Sequence, residues 1–147
     1  MMGLRVDGAK GDRSVSAFTE KEIRYLNEQR LGRLATVDAE GSPHVVPVAF
    51  RYNQDLDAVD IGGHNFAGSK KFRDVGRTGK AAIVVDDVIP PWRPRGIEVR
   101  GRAEVRSEGG KEIMENFAEE IIRIHPRRIV SWGVDSDAFS RQSRSVD

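Results

Sequence analysis

Residues 96–105, GIEVRGRAEV, alternate between two chemistries. Ile97, Val99, Ala103 and Val105 fall on one parity, Glu98, Arg100, Arg102 and Glu104 on the other. A strand turns successive side chains to opposite faces, so this run demands a sheet with one wall on a core. A helix would scatter the four apolar residues around its axis. Further stretches share the extended character: 31–37, 43–52, 58–63, 80–85 and 121–133. The 80–85 run is almost wholly apolar, as a central strand is. Turn residues at 38–42 join the first two as a hairpin, and 53–57 turn the chain again. Pro47 lacks an N–H for a ladder and needs a sheet edge or a bulge. About six strands joined mostly by hairpins predict a mainly β chain with short helices, closed as a compact antiparallel barrel.

The helices are marked by their caps. Thr19 followed three residues later by Glu22 forms a capping box before Ile23, Tyr25 and Leu26. A second helix is expected over 69–77, with Phe72 and Val75 on one face, and a third near 109–118. The first 17 residues are rich in Gly, Ser and charge and are expected to form a mobile arm. Residues 18–135 hold the barrel, and 136–147 form a polar, loose tail.

The 147 residues suffice for one domain, and 24 Lys+Arg against 23 Asp+Glu create no global field for nucleic acid. No run reaches the ~20 apolar residues of a membrane span. The chain has no cysteine, which excludes disulfides and thiol chemistry, and its N-terminus lacks a secretory apolar core; a cytoplasmic location is expected. His44, His64 and His125 share no metal-ligand spacing.

Four stretches could carry chemistry. In Gly68-Ser69-Lys70-Lys71 a helix start with free N–H groups and two lysines suits a phosphate, and equally suits a plain Ser-capped helix with solvated lysines. PPWRPRG (90–96) is either a platform for a flat ring or anion, or a stiff connection with Trp92 on the barrel or at a dimer interface. Asp86 and Asp87, adjacent on a strand, point to opposite faces and do not converge. Arg123, His125 and Arg127 would share one strand face if Pro126 kept the register. His44 occupies an ordinary strand position, that of a hydrogen-bonded wall residue. No nucleophile–base constellation emerges, so a catalyst built this way would need a cofactor.

The ordered set LGRLATVDAEGSPHVVPVAFRYN, DIGGHNFAGSKKFRDV, KAAIVVDDV, PPWRPRGIEVRGRAEV and RIHPRRIVSWG resembles the flavin-binding split β-barrel family related to pyridoxamine 5′-phosphate oxidase, above all its small F420-dependent oxidoreductases. The resemblance implies a six-stranded split barrel, a homodimer, and coenzyme F420, or alternatively FMN, in grooves between subunits. It implies a phosphate held by Lys71 with Lys70 and Ser69, and a ring lined by Val46, Pro47 and Val48. Ile61, Gly62 and Gly63 would flank the cofactor's chain, and Trp132 would stand near the partner's cofactor. Arg123, His125 and Arg127 resemble a substrate-binding strand, although Pro126 and the short C-terminus set this chain apart from vitamin B6 oxidases. The implied activity is hydride transfer to a small organic substrate, with a non-catalytic flavin or deazaflavin carrier as the other outcome.

Overall fold

The computed structural model describes residues 15–147. Helix α1 (Glu20–Glu28) starts at the expected box: Glu22 N donates to Thr19 Oγ1 and Thr19 N to Glu22 Oε1. The strands follow as β1 (Leu31–Val37), β2 (Pro43–Asn53), β3 (Ala58–Gly62), β4 (Lys80–Ile89), β5 (Arg93–Arg106), β6 (Ile121–Trp132) and β7 (Arg141–Ser145). A 3₁₀ turn at Phe66–Gly68 and helix α2 (Lys70–Thr78) link β3 to β4, and a single turn, α3 (Gly110–Ile113), precedes β6. The expected third helix over 109–118 is thus only this one turn.

The antiparallel order is β3-β2-β1-β4-β5-β6-β7, and β3 also pairs with β6. That last pairing closes six strands into a barrel, leaving β7 outside it. The closing seam is short: Val59 faces Ile124, Asp60 faces Arg123 and Ile61 faces Ile122. β6 is shared along its length, its first part with β3 and its residues Arg128–Trp132 with β7. A register shift separates the two parts. Gly101 faces Pro126 while Arg100 faces Arg128, so Arg127 is the extra, bulged residue. Gly101 is required there, because a Cβ would lie 1.9 Å from the His125 carbonyl oxygen.

Inside, Leu34, Val48, Phe50, Val59, Ile61, Ile83, Val85, Ile97, Val99, Ile122, Ile124 and Ile129 form the core. The alternation of β5 is realised as expected, with Ile97, Val99 and Ala103 buried and Arg100 and Arg102 exposed. β3 covers only Ala49–Asn53 of β2, so 43–48 have β1 on one side and no strand on the other. Pro47 lies in this free-edge stretch, where its missing N–H breaks no ladder between β2 and β3.

The C-terminal end differs from the expectation, and the N-terminal arm is described only from residue 15. The arm expected over 1–17 lies mostly outside the described residues, yet Ser16 Oγ and Ala17 N donate to Asp57 at 2.7 and 2.8 Å. The tail is not loose: 141–145 pair with β6. Arg144 donates to the carboxylate of Glu22, which is fully buried and also accepts from Ser131 Oγ at 2.8 Å. A buried carboxylate needs such partners, and this one ties α1, β6 and β7 together.

Candidate functional site

Helix α2 is set against the barrel by local chemistry. Ser69 Oγ accepts from Phe72 N and donates to Phe66 O at 2.7 Å, so its hydroxyl is spent on capping. At the far end Gly79 takes the left-handed conformation (φ 69°) and its carbonyl accepts from Ala103 N. The two lysines diverge. Lys70 is paired with the buried Asp74 at 3.0 Å, and its ammonium lies 3.9 Å from Asp38 Oδ2. Lys71 sits over the Phe66 ring at 5.2 Å, with no carboxylate partner among the described residues. Its half-burial pushes the ammonium below the usual lysine range.

The β1–β2 turn meets α2 at Asp38. Asp38 Oδ1 accepts from Glu40 N and Ser42 N at 3.0 and 2.9 Å. The Ser42 and Glu40 N–H groups, helped by nearby His44 and Lys70, hold its carboxyl below the usual range. His44 Nε2 lies 3.5 Å from Asp38 Oδ2, close enough for an ion pair but without an aligned hydrogen bond. The hydrogen-bonded wall residue expected at 44 therefore has a buried, unpartnered nitrogen.

The remaining residues singled out by sequence distribute over several places. Val46 and Pro47 are exposed on the free edge of β2, beside Val45, which is 67% exposed. Val48 and Ile61 point into the core. A Cβ on Gly62 would fall 2.9 Å from Ile113 Cδ1, and one on Gly63 would touch Phe66 at 3.4 Å. Trp132 lies on the outer wall across Gly96, whose absent Cβ leaves room for the indole. Asp86, level with Gly96, is six residues along β4 from Lys80, about 20 Å. Trp132 and the α2 end of the sheet are thus far apart within one chain.

Arg123, His125 and Arg127 do not make one row of free donors. The bulge puts Arg127 out of register, because Pro126 and the pressed Gly101 backbone break the period. Arg123 is bidentate to Asp60 at 2.8 and 3.1 Å, which raises its pKa, and His125 Nε2 is 2.6 Å from Glu104 Oε2. Asp86 and Asp87 do point apart. Asp86 pairs with Arg33, whereas Asp87 accepts from Arg95 Nε and Tyr25 Oη, both at 2.7 Å. These bonds lower the Asp87 pKa, Arg95 first; burial and Asp87 raise that of Tyr25. The pin holds the β4–β5 hairpin, whose tip carries Trp92, 64% exposed. On the outer wall an open groove of about 330 Å³ is lined by Ala35, Val37, Pro43, Ala82, Lys80 and Arg100.

Sequence reasoning passed over Asp38, Asp60 and the Glu22–Arg144 pair. Only the Asp38-to-Ser42 turn spacing hinted at the first; the others join residues far apart in the chain.

Among the described residues no cluster could hold a metal and no helix is long and apolar enough to cross a membrane. A protein of Streptomyces rimosus named 5a,11a-dehydrotetracycline/5a,11a-dehydrooxytetracycline reductase is 46% identical over 122 residues, 82% of this chain and 86% of that one. An F420H(2)-dependent biliverdin reductase of Mycobacterium tuberculosis is 26% identical over 121 residues, covering 80% and 83%. Among solved structures, a heme binding protein from Mycobacterium smegmatis superposes with a TM-score of 0.64 at 16% identity over 87% of this chain. This chain spans 58% of that protein's length. A FAD-binding protein from Mesorhizobium loti gives 0.58 at 19% identity, over 77% of this chain and 98% of that one. Such distant likenesses speak for the shared split barrel. The family model described as pyridoxamine 5′-phosphate oxidase matches residues 18–141, nearly the whole barrel, and with the 46% relative it shows that the chain belongs to the pyridoxamine 5′-phosphate oxidase family.

Proposed function

We propose that the protein is a reductase that uses a phosphate-bearing flavin-type cofactor, F420 or alternatively FMN, to saturate an electron-poor double bond in a small organic substrate. The observation that carries this reading is Lys71, a half-buried ammonium at the start of α2 with no carboxylate partner among the described residues. A phosphate supplies the missing charge, and Lys70 and Ser69 border the same helix start, where two N–H groups remain open. On β2, which follows the Asp38 turn that Lys70 approaches, the unpaired backbone of 43–48 offers donors and acceptors to the polar rim of a ring system, and exposed Val46 and Pro47 offer apolar contact. The residues present fit such a group.

When bound, the cofactor supplies a hydride. The protein's own residues bind and orient: Lys71 fixes the phosphate, the β2 edge fixes the ring plane, and apolar side chains exclude water from the reacting face. The reductase name of the 46% relative supports double-bond reduction, and the name of the 26% relative supports F420. The family description and the FAD-binding structural neighbour support FMN as the second reading.

A homodimer completes the picture. The groove on the outer wall, with Val45 and Pro47 beside it, is an apolar strip that a second copy would cover. Trp132, distant from Lys71 in its own chain, would then approach the partner's cofactor.

The test is a titration of the purified apo protein with F420 and FMN side by side. Lys71→Ala should weaken the binding of the preferred cofactor by about 1–3 kcal/mol, roughly ten- to a hundred-fold. Binding of neither cofactor would overturn the reading.

A further inference from the structure

The binding residues above leave one step without an agent. Saturating a double bond takes a hydride and a proton; Lys71 is committed to the phosphate, and Val46 and Pro47 have no acidic proton to give. His44 stands on the same free-edge stretch of β2, two residues before Val46 and across from Thr36 of β1. Its Nε2 is shielded from solvent and makes no hydrogen bond, while the side chain as a whole is 40% exposed. The exposed part of the ring therefore carries Nδ1. Behind Nε2 stands Asp38, whose Oδ1 is anchored by two backbone N–H groups and whose Oδ2 is turned toward the imidazole at 3.5 Å. The other charged group at that oxygen is Lys70 from α2, at 3.9 Å and closer to its own partner Asp74. A fixed carboxylate behind one ring nitrogen, with the other nitrogen open, orients the ring by charge attraction.

Building on the reductase reading, we infer that His44 is the proton donor of the reduction, with Asp38 as its positioning residue. A hydride, one proton with two electrons, would come from the reduced cofactor to the β carbon of a conjugated carbonyl compound. The π pair of the double bond shifts toward the carbonyl. The proton on His44 Nδ1 passes to the α carbon, leaving a neutral ring whose Nε2–H faces Asp38. Solvent restores the proton afterwards. The substrate class follows: a double bond conjugated to a carbonyl, which needs an acid at the carbon beside that carbonyl.

Two measurements test this together. Proton–carbon NMR of the histidine rings, recorded while F420 or FMN is added, should shift the His44 signals and leave those of His125, on the outer wall, in place. Anaerobic turnover of 5a,11a-dehydrooxytetracycline and simple conjugated ketones, with the reduced form of whichever cofactor binds, should fall about 100-fold in kcat for His44→Gln. KM and cofactor affinity should stay close to wild type. The pH profile of the rate should change in Asp38→Asn, and that change should vanish in the His44→Gln background. A cofactor that binds without moving the His44 signals, or a His44→Gln protein with the wild-type rate and pH profile, overturns the inference and leaves the reductase reading standing. A wild-type protein that binds no cofactor, or reduces no conjugated ketone, overturns both.

Discussion

Replacing Asp60 by Ala should unlatch the barrel where it closes. Asp60 is 1% exposed and accepts two hydrogen bonds from Arg123, at 2.8 and 3.1 Å, and one from Asn53 Nδ2 at 3.0 Å. The Arg51 guanidinium lies 3.8 Å away, near enough for charge attraction but not for a hydrogen bond. The Arg123 side chain is itself only 12% exposed, so truncating its partner strands a guanidinium away from water. Breaking a buried pair from one side costs about 3–5 kcal/mol, most of it the desolvation of the charge left behind. For a domain of this size that is a fall in Tm of roughly 6–20 °C. Urea unfolding followed by tryptophan fluorescence, at one fixed protein concentration, measures it directly. A cycle is formed by Asp60→Leu, Arg123→Met and the double variant Asp60→Leu/Arg123→Met. An apolar pair of similar volume should recover most of the loss, to within about 1 kcal/mol of wild type. Amide exchange at Val59 and Ile61 should accelerate in Asp60→Ala, because β3 meets β6 through only three residue pairs there. A cost below about 1 kcal/mol for Asp60→Ala, or a double variant as unstable as the sum of the singles, would refute the reasoning.

Three further outcomes are expected. Lys71→Met should raise apo stability by up to about 1 kcal/mol while weakening cofactor binding, because it removes a desolvated charge and keeps the apolar stem on Phe66; thermal melts with and without cofactor measure both signs. Asp87 has a lowered folded pKa, so its contribution is present above the unfolded carboxylate range and is lost as pH falls through the folded value; acid unfolding of Asp87→Asn should start from a lower stability at pH 7 and show a shallower decline in that window. Trp92→Ala should leave monomer stability within about 0.5 kcal/mol, since the ring is mostly exposed, yet shift sedimentation toward monomer if the hairpin tip joins the second copy.

Much of the barrel is legible in one sequence. The strict alternation of β5 fixes which face is inward, because a one-residue slip would bury Arg100 and Arg102. Caps mark α1 and α2, because Thr19 and Ser69 satisfy N–H groups that local geometry leaves open. The missing donor of Pro47 restricts it to an edge or a bulge, and the fold puts it on the free edge. The seventh strand is another matter. RQSRS carries no apolar period, since it lies on the edge of the sheet and is largely exposed, and what orders it is Arg144 meeting Glu22 from 122 positions away. The same limit hid the fate of Arg123 and His125. Their spacing by two is plain in the sequence, but Asp60 and Glu104, which occupy them, are chosen by strand register.

What the sequence determined by itself is local: strand periodicity, helix caps, and a lysine pair at a helix start, each set by neighbours within a few residues. The tertiary structure decided which lysine is free. Lys70 finds Asp74 one turn along its own helix and Asp38 from another segment, while Lys71 turns onto Phe66 and meets no carboxylate among the described residues. It also set Asp38 behind His44. Charge pairing acts through space over a few ångströms, and only the folded chain fixes which groups come that close.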